Sequence, residues 1–364
     1  MSTEFRSPRY GRLLEEFEVG AVFRHPWEVT VDTGMLALYA ASFLDATPVF
    51  ASAPYARALG FRDRPIHPLA LLNFGLSFSV HDVSEQAIAH LAYIDVFFPE
   101  ACYFGDTLRA CSTVLGVKRS KEGERGVVDL RTVLSTEDQR VVCRFERKVL
   151  VRAGGRMPDK ASPPTSARPC AAETAARVPV EFGRPLNLPK SAPGFAGFFE
   201  DFAPGEAICH DVGRTVGESE HMQLTTMFRN THPLHFEEPY AIAGFAKTRV
   251  VYGGLVFAWV VSLASRDTSG NVLWEAGFDN GAHPAGVVAG DTLYAASRVL
   301  RCESLTGCYG SVTFKLVGTK NVKPAALLDT GADLFADERA KAGSNRVRDK
   351  VFEIERTVLM RKRT

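Results

Sequence analysis

RNTHPLHFEEPY, residues 229–240, and LDATPVFASAPY, residues 44–55, match each other in outline. Asp45 falls over Asn230, Pro48 over Pro233, Phe50 over His235, Pro54 over Pro239 and Tyr55 over Tyr240, every pair 185 positions apart. The same offset joins Phe17 of EEFEVG to Phe202 of EDFAPG, Pro99 to Pro284, and the GDTL motifs beginning at Gly105 and Gly290. One chance match is easy to find, but a constant spacing over most of the chain marks an internal duplication. FERKVLVR from Phe145 and IERTVLMRKR from Ile354 are offset by 209, so the second copy carries a net 24 extra residues, expected as a loop insertion over 319–345.

The two copies share a coarse order. An apolar helix over about 32–43 and 219–228 precedes the Pro-containing segment. A short helix follows over 52–59 and 235–243. Next comes a helix apolar nearly all round, over 70–80 and 255–265, which its composition expects to be buried. The pattern then switches to strands, expected over 92–98, 107–118, 126–135 and 140–151, and over 277–283, 292–302, 310–319 and 351–361. A buried helix followed by antiparallel strands implies an α+β copy with its sheet wrapped around that helix. Residues 1–152 form the first copy, a Pro/Ala-rich linker over 153–195 is expected along the surface, and 196–364 form the second copy.

Composition excludes several function classes. With 364 residues, net charge +1, 46% hydrophobic and 23% charged residues, the chain reads as an ordinary globular protein. There is no basic stripe for nucleic acid and no apolar run long enough for a membrane. The N-terminal MSTEFRSPRYGRLLEEF lacks the apolar segment of a secretory signal. Seven scattered cysteines with no Cys-x-x-Cys spacing argue against disulfides and against a zinc site. The expected location is a reducing cytoplasm, and no metal is expected.

NTHPLH before a short helix and VVYGGL opening the long one, inside a duplicated chain, resemble the double hotdog proteins of the MaoC-like hydratase group. EHMQLTTMFRNTHPLHF and RVVYGGLVF are most similar to mesaconyl-CoA hydratases, also called beta-methylmalyl-CoA dehydratases. The resemblance implies a hydro-lyase that adds or removes water across the double bond of a short branched or dicarboxylic enoyl-CoA. It implies no cofactor beyond the coenzyme A of the acyl-CoA substrate, and it leaves a homodimer or higher homo-oligomer open. It places His235 at the catalytic histidine, Asn230 where the group carries a catalytic aspartate, and Gly253 near the thioester-binding glycine.

The duplication weighs these residues independently. Phe50 shows that the fold accepts an apolar ring at the position of His235, so packing does not require a histidine there. An imidazole with an ordinary pKa near 6.5 suits proton transfer at neutral pH. Gly253 and Gly254 open a buried helix whose free N–H groups favour developing negative charge, although glycine there could equally serve close packing. The first copy has His67 over Tyr252 and Pro68 over Gly253, and proline has no N–H to offer. One site per chain is therefore expected, in the second copy. Asn230 departs from the group's aspartate; it can position water or spare a substrate carboxylate from repulsion. Tyr252, Arg229 and Arg249 are candidates for substrate contact, the arginines for a carboxylate or a phosphate, with a solvated face as the plain alternative. A hotdog thioesterase and a non-catalytic acyl-CoA-binding protein remain as rival readings.

Overall fold

The computed structural model describes residues 10–154, 171, 176–186, 188, 197–244, 247–341 and 343–363. Each copy supplies five strands: β1 Val22–Thr30, β2 Ala87–Phe97, β3 Thr107–Arg119, β4 Arg125–Thr136 and β5 Val141–Arg152, then β6 Ala207–Thr215, β7 Val272–Ala282, β8 Thr292–Ser304, β9 Tyr309–Lys320 and β10 Lys350–Arg361. They form one antiparallel sheet in the order β1-β3-β4-β5-β2-β7-β10-β9-β8-β6. That order reads the same from either end once each strand is exchanged for its repeat. The centre of the palindrome is the β2–β7 junction, where Tyr93 pairs with Gly281 and Val96 with Phe278. Tyr93 and Phe278 are repeats of one another, as are Val96 and Gly281, so a pseudo-two-fold axis relates the copies.

The helices are α1 Thr33–Phe43, α2 Pro48–Ala51, α3 Ala53–Ala58, α4 Pro68–Phe78, α5 Glu218–Met227, α6 Glu238–Ala243, α7 Gly253–Thr268 and α8 Pro324–Asp329. All residues of α4 and most of α7 are buried, as their apolar sequences require. The two central helices touch where Asn73 Nδ2 donates to the Gly254 carbonyl at 3.1 Å. Proline opens α4, where its missing N–H costs nothing, and the His67 side chain accepts from Leu69 N as a cap.

The expected helices and eight of the ten strands are present, with shifted ends. β1 and β6 lie outside the expected strands. Both are edge strands, and β1 carries His25, Pro26 and Glu28, the kind of sequence that keeps an edge from pairing further. The inserted 319–345 stretch is more than a loop. It contains α8, buries Leu334 and Phe335 against Ala296 and Val317, and seats Glu338 beside Lys341 at 2.6 Å and Lys350 at 3.7 Å. Most of the 153–195 segment lies outside the described residues. Phe182 within it is buried rather than on the surface, 6.3 Å from the Trp274 ring and 6.1 Å from Phe61. Cys111 is disulfide-bonded, which corrects the expectation of seven free thiols.

Candidate active site

A cavity of about 530 Å³ lies between the copies. The first copy lines it with Ala89, His90, Tyr93 and Arg147, the second with Asn230, His235, Tyr252 and Gly253. His235 ends a short 3₁₀ turn that begins at Pro233 and is capped by the His232 ring, which accepts from Leu234 N at 3.2 Å. Its Nδ1 lies 2.8 Å from the Val250 carbonyl. A carbonyl only accepts, so Nδ1 carries the proton and Nε2 presents a lone pair. The residue is half-buried, and desolvation, with a smaller push from the neighbouring His232, lowers its pKa to about 3. The imidazole is therefore neutral at neutral pH, with Nε2 an acceptor.

Asn230 is buried, and its Oδ1 accepts the His232 N–H at 3.0 Å, which shapes the turn leading to His235. Its side chain also lies against the Tyr252 phenol, whose pKa burial pushes upward, so that the tyrosine stays neutral. The Tyr252 ring sits 5.6 Å from that of His235 and its hydroxyl is 3.4 Å from Ser77 Oγ.

The two glycines separate. Gly253 lines the cavity, and a side chain on it would come within 2.9 Å of His283 Nε2. As the first residue of α7 its N–H has no helical acceptor. Gly254 is absent from the lining; a side chain there would strike Asn73 Oδ1 at 2.0 Å. Its lack of a side chain serves the contact between α4 and α7. Arg229 is exposed, and Arg249 is ion-paired with Glu218; neither lines the cavity.

Sequence reading missed two cavity residues. Arg147 is 4% exposed and donates to Ser79 Oγ at 2.7 Å. His90 is half-buried, and its two ring nitrogens are out of solvent with no hydrogen-bond partner. The repeat held the signal. Arg147 aligns with Arg356 in FERKVLVR and IERTVLMRKR, and His90 aligns with Glu275 at the 185 offset.

The pseudo-equivalent position in the other half is filled. Phe50 packs on Trp274 at 5.5 Å, Phe61 stacks on the same indole at 5.4 Å, and Phe182 closes in. Asp45 and His67 lie 3.5 Å apart where the open site has Asn230 and Tyr252. Burial raises the Asp45 pKa, but His67 and Thr47 outweigh it and hold the group at about 2.

A profile of the family described as mesaconyl-CoA hydratase matches residues 5–325. The chain belongs to the mesaconyl-CoA hydratase family. Two relatives agree: a beta-methylmalyl-CoA dehydratase of Chloroflexus aurantiacus is 31% identical over 85% of this chain and 89% of its own. A mesaconyl-CoA hydratase of Cereibacter sphaeroides is 32% identical over 85% and 90%. A crystal structure described as a MaoC domain protein dehydratase, also from Chloroflexus aurantiacus, superposes with a TM-score of 0.80 at 29% identity, covering 97% of this chain and 98% of that one. A Mycobacterium tuberculosis protein with a double hotdog fold superposes at 0.70 with 19% identity, covering 96% and 98%, and supports the fold. This member of the mesaconyl-CoA hydratase family is thus a double hotdog hydro-lyase, a hydratase/dehydratase acting on an acyl-CoA. Among the described residues no helix is long and apolar enough to cross a membrane, and no group of side chains could hold a metal.

Proposed function

We propose that the enzyme adds water to, or removes it from, a short branched or dicarboxylic enoyl-CoA such as mesaconyl-CoA, with His235 as the proton carrier. The observation that supports this most is the fixed tautomer of His235, whose Nε2 lone pair is free within the cavity that Gly253 also lines. In hydration, Nε2 takes a proton from water as the water oxygen bonds to the β-carbon. The π pair moves toward the thioester, and the Gly253 N–H receives the carbonyl oxygen as it becomes an enolate oxygen. The enolate collapses as the α-carbon takes the proton from Nε2, so one H and one OH are added and His235 returns neutral. Dehydration is the reverse. Asn230 holds the turn and Tyr252 in place rather than acting as a base.

The steps need proton transfer and polarisation, so we propose no cofactor beyond the coenzyme A of the substrate. We also propose one site per chain, the division 1–152, 153–195 and 196–364, and a cytoplasmic location. The test follows double-bond absorbance across a panel of enoyl-CoA esters including mesaconyl-CoA. Loss of absorbance with the thioester intact supports the proposal. Free thiol release would replace it with a thioesterase, and binding without either change with an acyl-CoA-binding protein.

A further inference from the structure

Arg356 and Arg147 occupy one register in the two copies. Arg356 pairs with Phe278 across β10 and β7, and Arg147 with Tyr93 across β5 and β2. Glu275 and His90 likewise share a register, opposite Val358 and Val149. In the filled half the arginine is neutralised. Arg356 Nε donates to Glu275 at 3.0 Å, its Nη2 closes a second bond to the same carboxylate, and Ser269 Oγ accepts at 2.9 Å. In the open half the serine is kept and the carboxylate is gone. Arg147 Nη2 donates to Ser79 Oγ at 2.7 Å and Ser84 Oγ at 3.4 Å, its Nε is buried without an acceptor, and no described carboxylate pairs with it.

A buried guanidinium without a counter-charge costs several kcal/mol. This one faces a cavity, beside a histidine whose ring nitrogens have no partner, and next to Ala89, which stands where the filled half has Trp274. We propose that the substrate supplies the missing carboxylate: Arg147 receives the free carboxylate of a dicarboxylic acyl chain in the place that Glu275 takes beside Arg356, and the exchange of Glu for His at position 90 created the vacancy. His90 stays neutral because burial, and then Arg147 and His283, disfavour its protonated form. It can donate one N–H to the same carboxylate, whereas a glutamate there would repel it.

The inference rests on the proposed substrate class, and its test does not rely on turnover. Succinyl-CoA and butyryl-CoA have no carbon–carbon double bond and differ at the end of the acyl chain, a carboxylate against a methyl. Calorimetric titration of the full chain gives the ratio of their dissociation constants. A charge-assisted contact of ordinary strength should favour succinyl-CoA by roughly 10- to 100-fold. Arg147→Met should bring the ratio to near 1. His90→Glu should do the same by rebuilding the pair that the fold already accommodates at Arg356 and Glu275, which guards against a folding defect of the first variant. Equal weakening of both ligands in Arg147→Met would overturn the inference and assign the arginine to a group both ligands share, such as a coenzyme A phosphate. A preference that survives both substitutions, or is absent from the wild type, would also overturn it. If enoyl-CoA hydration fails while the succinyl preference follows Arg147, the proposed reaction falls and the carboxylate seat stands.

Discussion

The two halves of this molecule present the same cleft twice, once open and once filled. The open cleft has His235, Asn230, Tyr252 and Gly253 from one copy and Ala89, His90 and Arg147 from the other. The filled one has Phe50, Asp45, His67 and Pro68, with Trp274, Glu275 and Arg356 in the matching places. The exchange is not a scatter of losses. Where phenylalanine stands in place of His235 an indole fills the space, and where the buried carboxylate is kept the arginine is neutralised. The first copy's equivalents of those positions have become core, while its sheet still forms one wall of the other cleft.

His235→Ala should break the open cleft most strongly. Turnover should fall by roughly 10²–10⁴-fold, the usual contribution of a general acid/base, with the melting curve little changed because Phe50 shows that the position is not a histidine for packing. Unchanged turnover in a folded variant would remove His235 from the mechanism. Trp274→Ala should cost stability by about 3–5 kcal/mol in denaturant titration. It should leave the stoichiometry with a non-reactive acyl-CoA at one ligand per chain, since Pro68 still lacks the N–H. A second ligand would show that the indole alone closes the filled cleft.

The Asp45–His67 and Asn230–Tyr252 pairs can be exchanged directly. Asn230→Asp puts a carboxylate beside a phenol rather than an imidazole and should destabilise the fold by about 1–3 kcal/mol. It should also raise the pKa of His235, because a negative charge favours the imidazolium. Adding Tyr252→His should recover stability, with a coupling of about 0.5–3 kcal/mol in the double-mutant cycle; strict additivity would mean the pairs are not interchangeable. The smallest effect is in pH. With His235 neutral in the fold down to about pH 3, the unfolded chain binds the proton first as pH falls below about 6.5. Stability is therefore full above that range and declines below it, by about 0.7 kcal/mol between pH 7 and pH 6 for this residue. Thermal melts of wild type and His235→Ala, close at about pH 7, should diverge only as the pH is lowered through about 6. The acid limb of kcat/KM should lie well below pH 6.5.

The repeat made the architecture legible, because buried helices and paired strands impose periods that survive divergence. The edge strands were not legible, since β1 carries Pro26 and both carry charged residues that obscure a strand. For the site, His235 and Gly253 stood out because their repeats are residues that cannot do the same chemistry. Arg147 did not, because its repeat is also arginine; the telling change was in its partner, from Glu275 to His90, and lies on a different strand. Gly254 looked equivalent to its neighbour in sequence. Which of the two faces the cavity depends on how α7 meets Asn73.

The palindromic sheet also bears on how separable this enzyme is. His235 and the arginine facing its cavity are encoded 88 positions apart, on opposite sides of the junction between the copies. Grafting the second copy alone onto another scaffold would move the proton carrier and leave behind the residue we assign to choosing the substrate. A change of substrate could then arise in the half that has no base of its own. Joining the halves in one chain holds their ratio at one to one and lets that half vary without a second working cleft to preserve.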